Sequence, residues 1–183
     1  MINTTVTPAT ATTTELVNYA KGFAGYELWA IKTTVEWLKT KDATLLETPV
    51  VSSYGTIKDT LKHMWDTSAW WIKNLRGEHP SLTFGPFECN ESVAEVLEGV
   101  VKQAEELMEL VNQMTPEQLV QAYPVTIPYT GDFNIPGYEI LSQITHHTTY
   151  HRGQVVTMGR HLGITDASNT DYMFYLLVGE KRY

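Results

Sequence analysis

Apolar residues recur at steps of three and four through most of the chain, the period of helices that bury one face. Between about Thr14 and Lys39, Leu16, Tyr19, Phe23 and Tyr26 form one stripe, with Leu28, Ile31, Val35 and Leu38 beside it. So wide an apolar arc predicts a first helix packed on several neighbours, capped by Thr13 or Thr14 with Glu15 in its first turn. Gly22 and Gly25, three apart, would allow close approach. Residues 40–54 lose the period, and Leu45, Leu46 and Thr48-Pro49 predict an extended or irregular connection. A second helix is expected from near Ser53 to about Leu75, stopped by Gly77 and followed by Pro80. A loop containing Gly85 and Pro86 leads to Asn90, the expected cap of a third helix. That helix carries Val93, Val96, Leu97, Val100, Ala104, Leu107, Leu110 and Val111 on one face and a solvated run of glutamates on the other. Pro116 then opens a short helical piece.

The period changes to alternation over Val125-Thr126-Ile127-Pro128-Tyr129, with a turn at Thr130-Gly131-Asp132 and a return through Phe133-Asn134-Ile135. This predicts a small β-hairpin with Pro128 on an edge. A last long helix enters at Pro136 and ends at Leu162-Gly163, and a short apolar helix is expected over Asp171 to Gly179. Together these elements predict an all-α fold: a four-helix bundle with a small hairpin before the last long helix and a short C-terminal helix. The bundle forms one domain over residues 15–183, behind a threonine-rich flexible segment, residues 1–14.

Composition narrows the function. The 183 residues carry a net charge of −8 and no basic run, which argues against a nucleic-acid partner. The single cysteine, Cys89, rules out an intramolecular disulfide, fits a reducing cytoplasm and has no activating cation beside it in sequence, so a structural role is expected. No apolar run approaches the ~20 residues of a membrane span, and the N-terminus lacks the basic start and apolar core of a secretory signal.

The chemistry centres on His147 and His151 in the last long helix. Residues four apart share a helix face, and Ile140, Ile144, Val155, Met158 and Leu162 lie on the same stripe, so the pair points inward. An inward imidazole pair needs hydrogen-bond partners or a metal, because an unpaired buried polar group costs about 1–3 kcal/mol. A metal would need a third ligand, and His63 is the only histidine in the middle of another helix. Around it lie Thr56, Thr60, Thr67, Trp70 and Asn74, a face more polar than a plain core stripe. Both readings stand on the residues alone: a metal site, or core histidines satisfied by carbonyls. The zinc-protease pattern is excluded because Thr148, not Glu, follows His147, and the di-iron pattern because no histidine has Glu three residues before it. His146 points about 100° away from His147, and His79 and His161 at helix ends suit structural roles.

The run His147-Thr148-Thr149-Tyr150-His151-Arg152-Gly153-Gln154 resembles the final-helix signature of the DinB/YfiT-like superfamily, damage-inducible four-helix-bundle proteins. Thr60-Leu61-Lys62-His63 with Trp70 and Trp71 supports the likeness, as do Tyr26, Trp29 and Ala30 in the first helix and Asp171-Tyr172 near the end. Ile31 stands where the first-helix motif usually has Asn. The resemblance, over about residues 15 to 179, implies a divalent-metal site of His63, His147 and His151 with water in the remaining positions, and a homodimer. Zinc or nickel is expected first, with iron, manganese or copper also suited to imidazole. The resemblance further implies a thiol S-transferase using a low-molecular-weight thiol such as bacillithiol, or a mycothiol-dependent isomerase. Two alternatives keep the same ligands: a metal-dependent hydrolase, and a non-enzymatic metal-binding stress-response protein. Trp70, Tyr150 and Asp66, three residues after His63, are candidate pocket residues, with Asp66 the nearest carboxylate. Arg152 and Gln154 are expected to tie helices together.

Overall fold

The computed structural model of the protein describes residues 8–81 and 87–179. The expected flexible segment falls partly outside them, in residues 1–7, as do Gly85, Pro86 and residues 180–183. Four long helices form the bundle: α1 (Pro8–Lys39), α3 (Ile57–Leu75), α4 (Val93–Gln113) and α6 (Gly137–His161). Between them lie α2 (Ala43–Leu46), α5 (Pro116–Val120), β1 (Ala122–Ile127) and β2 (Gly131–Pro136), and α7 (Tyr172–Phe174) follows, continued by a π turn over Tyr175–Gly179.

Several boundaries differ from the sequence reading, each for a local reason. The first helix starts at Pro8, not Thr14, so residues 8–14 are helical and Thr13 and Thr14 lie inside it. Proline suits a first helical position, where its missing N–H is not needed. The connection after it holds a helical turn, α2, because the Asp42 carboxylate accepts the Thr44 N–H and Leu46 is buried beneath. Helix α3 begins at Ile57, where the Thr56 hydroxyl accepts the Asp59 N–H, leaving Ser53 to Gly55 outside. Helix α4 is capped by Ser92, not Asn90, through a reciprocal box with Glu95. The hairpin pairs Ala122 with Pro136 through Ile127 with Gly131, so Pro124 lies in a strand. Its turn sits at Pro128–Thr130, with Tyr129 at φ 67°. The C-terminal helix is only one turn before it widens into the π turn.

Helix α1 packs on α4 and α6, and so does α3, which leaves α1 and α3 across a diagonal. Two apolar clusters define the directions. One joins Ala20 and Ala24 to Trp71, Leu75, Val111 and Ile140. The other joins Ile31 and Val35 to Ile57, Leu61, Val96 and Val155. Helices α1 and α6 therefore run one way and α3 and α4 the other. The inner line of the first half of α1 is Ala20, Ala24 and buried Glu27, while Tyr19 is exposed and stacked on Phe23. This corrects the first predicted stripe. Tyr26 and Trp29 turn instead toward Tyr175, whose hydroxyl lies where a side chain at Gly25 would stand. Between the apolar clusters runs a buried polar layer of Glu27, Ser68, Gln103, Thr145, Thr148 and Arg152. The histidine pair of α6 sits at this level.

Candidate metal centre

Antiparallel packing of α3 on α6 sets His63 against the His147–His151 face. Their Nε2 atoms converge: His63 Nε2 is 3.1 Å from His147 Nε2, which is 3.2 Å from His151 Nε2. One ligand atom from each of the three lies within 4.8 Å of the others, the one such group among the described residues. Three imidazoles on one ion at metal–nitrogen distances of ~2.0–2.1 Å, with angles between tetrahedral and octahedral, would hold their nitrogens about 2.8–3.4 Å apart. The two measured separations fall in that interval.

The outer nitrogens orient the rings. His151 Nδ1 lies 2.7 Å from Gln154 Oε1, and taking that oxygen as the acceptor puts the proton on Nδ1 and a lone pair on Nε2. His63 Nδ1 faces the Thr67 hydroxyl at 3.4 Å, and His147 Nδ1 is buried with no partner among the described residues. Burial first, then the neighbouring imidazoles, push His63 down to about 3. Burial and His151 push His147 down to about 4, and burial lowers His151. Near neutral pH all three rings are uncharged, the form that binds metal. The site can thus hold a divalent cation on three neutral donors.

Aromatic rings surround the cluster. Tyr54, from the stretch before α3, stacks on His63 with ring centroids 4.2 Å apart and meets Phe87 at 5.0 Å. Tyr150 stands 63% exposed with its ring 5.0 Å from His151. Gln154 also donates to the Ser53 hydroxyl at 2.8 Å, and Val50 N–H donates to Gly55 carbonyl at 2.8 Å, closing the stretch that carries Tyr54. Tyr54, Phe87 and Ser53 escape the sequence reading because no spacing marks them; they reach the site only through the fold.

Of the other candidates, Tyr150 is at the site and two are not. Trp70 is buried in the core against Trp71, its indole N–H donating to the Pro80 carbonyl at 3.1 Å. Asp66 is held by Lys62 Nζ, 2.6 Å from both carboxylate oxygens, so it is not a free base. Arg152 ties helices together as expected: it donates to Glu27 at 3.1 Å and to the Tyr26 hydroxyl at 2.8 Å, and that hydroxyl donates to the Thr170 carbonyl. Burial raises the Glu27 carboxyl, opposed by this guanidinium. His146 is exposed, donating from Nδ1 to the Ser142 carbonyl. His79 Nδ1 meets the Pro124 carbonyl, and His161 ends α6. Burial pushes the Cys89 thiol up, away from a reactive thiolate.

The protein is thus a four-helix bundle with a histidine cluster between its second and last long helices. A model of the DinB family matches residues 12–182, and the chain belongs to that family. Protein DinB of Bacillus subtilis (strain 168) is 26% identical over 162 residues, covering 84% of this chain and 91% of that protein. The solved structure of YfiT from Bacillus subtilis, described as a probable metal-dependent hydrolase with an unusual four-helix bundle topology, superposes with a TM-score of 0.60. It is 12% identical, covers 89% of this chain and 93% of its own, and bears out the fold. No helix among the described residues is long and apolar enough to cross a membrane.

Proposed function

We propose that this protein is a metal-dependent thiol S-transferase, an enzyme that joins a low-molecular-weight thiol, through its sulfur, to a small electrophile. His63, His147 and His151 would hold one divalent ion, zinc or nickel before iron, manganese or copper. A bound divalent ion supplies Lewis-acid chemistry, favouring thiolate over thiol near neutral pH. The chain's residues supply the setting. None of the three imidazoles brings a negative charge, so the ligand set leaves the cation's charge undiminished. Gln154 fixes the ring orientation of His151, and Tyr54 shields one face of His63. In the reaction a sulfur–carbon bond forms as the carbon–leaving-group bond breaks. The leaving group takes the bonding pair, and the thiol proton passes to solvent.

The observation that carries this reading is three convergent neutral nitrogens with no carboxylate among them. Metal-loaded protein incubated with a panel of thiols and monochlorobimane is expected to show thiol-dependent conjugation that His63→Ala abolishes. Absence of thiol-dependent turnover with every metal tried would contradict it.

The description of YfiT favours a second reading, hydrolysis by an activated water. That chemistry gains from a nearby base for the water's proton, and Asp66 is engaged by Lys62. Turnover of esters or amides without thiol would select it. A non-enzymatic metal-binding role in stress response predicts metal uptake with no turnover in either assay. The proposal includes a homodimer, for which sedimentation equilibrium would give twice the 20.7 kDa chain mass.

A further inference from the structure

Beside the histidine cluster, between residues 50–52 and the second half of α6, lies a groove of about 240 Å³. Its near end is formed by Tyr150 and Gln154, which touch His151 by ring contact and hydrogen bond. Its walls are Val50, Val51 and Met158, and His161 stands in its lining one turn further along α6. No Asp, Glu, Lys or Arg lines it, although the chain carries 34 such residues and a net charge of −8. Of the apolar lining, Met158 is buried in the core and Val50 packs against it, whereas Val51 and Tyr150 stand outside it. Val51 is 100% exposed and Tyr150 63% exposed, and exposed aliphatic and aromatic side chains gathered around one concavity mark a binding surface. The polar atoms nearby are held in place: Gln154 is fixed between His151 and Ser53, and the Val50–Gly55 hydrogen bond shapes the stretch.

We infer that this groove is the electrophile subsite, and that it takes a small uncharged molecule with an aromatic or alkyl body. Its reactive carbon would lie toward Tyr150, where the groove adjoins His151. The chemistry rests on the S-transfer reading, but occupancy of the groove does not, and the test separates the two. A charged body would meet no Asp, Glu, Lys or Arg in this lining, whereas burying an apolar ring there gains from leaving water.

The probe is benzyl alcohol, an unreactive aromatic of this class, titrated into the full metal-loaded chain. The readout is the methyl resonances of Val50, Val51 and Met158. Saturable shifts of those methyls are expected, with benzoate giving none at the same concentrations. Val51→Asp, at a fully exposed position that folding tolerates, is expected to weaken the benzyl alcohol titration roughly tenfold while metal content stays unchanged. With an active thiol, the same variant should raise KM for a benzyl halide and leave KM for iodoacetamide alone. Shifts that miss these methyls, or equal shifts with benzoate, would overturn the inference. So would titrations that Val51→Asp leaves unaltered. Saturation of the groove without turnover by any thiol would uphold it as a binding site for uncharged aromatics and reject S-transfer.

Discussion

Gln154 shows how one side chain ties the centre to its surroundings. It accepts from His151 and donates to Ser53, so a ligand ring and the stretch carrying Tyr54 share a single amide. Replacing it with Leu keeps the volume and removes both bonds. Loss of such an outer partner to a metal-bound histidine weakens metal binding about 10–100-fold. Competition titration of Gln154→Leu against a chelating dye is expected to show a drop in that range with the fold intact, and unchanged affinity would remove Gln154 from the site. The histidines also predict a pH dependence. His63 and His147 fall to about 3 and about 4, below the ordinary value of 6.5. The folded metal-free protein then binds fewer protons than the unfolded chain between those values. Stability is full above about pH 6.5 and falls as pH drops toward 4. Urea midpoints of the metal-free protein at pH 7.5, 5.5 and 4.5 should decline in that order, and His63→Leu should flatten the decline.

At the scale of elements, the bundle is held in phase by a buried ion pair between α1 and α6. Glu27 and Arg152 are each 2% exposed and 3.1 Å apart. Removing one member leaves a buried charge alone, a loss of about 3–5 kcal/mol, whereas replacing both with apolar groups is often tolerated. Arg152→Met should therefore destabilise in that range by chemical denaturation, and Glu27→Leu with Arg152→Met should recover most of the loss. Equal destabilisation by the single and double variants would show that the pair does not act as a unit. Such elements were only partly legible in the sequence. The four helices stand out because each buries a face at helical spacing, and Gly163 after α6 and Pro116 at the start of α5 act through local chemistry that operates as read. Caps were harder: Asn90 and Ser92 are both suitable residues, and only the reciprocal bond from Glu95 decides between them. The α1 stripe misled because its inner line uses Ala20, Ala24 and Glu27, small or charged residues that packing rather than hydrophobicity selects. Tyr54 was invisible because its contact with His63 depends on the path of the connection out of α1, not on a period.

For the whole molecule, the reversed directions of the helices explain why the site forms where it does. With α3 antiparallel to α6 and diagonal to α1, the polar layer of the bundle brings His63 level with the α6 pair. Trp70 lies seven residues further along α3, in the other apolar cluster and away from that layer. A ligand that binds only the folded state stabilises it in proportion to its affinity, so one equivalent of zinc or nickel should raise Tm, and excess chelator should reverse the rise. The most direct test of the account counts metal. Purified protein loaded with zinc or nickel and freed of excess is expected to hold one ion per chain by elemental analysis, and His63→Ala, His147→Ala and His151→Ala should each lose most of it. Metal content unchanged in all three variants would contradict the three-histidine centre.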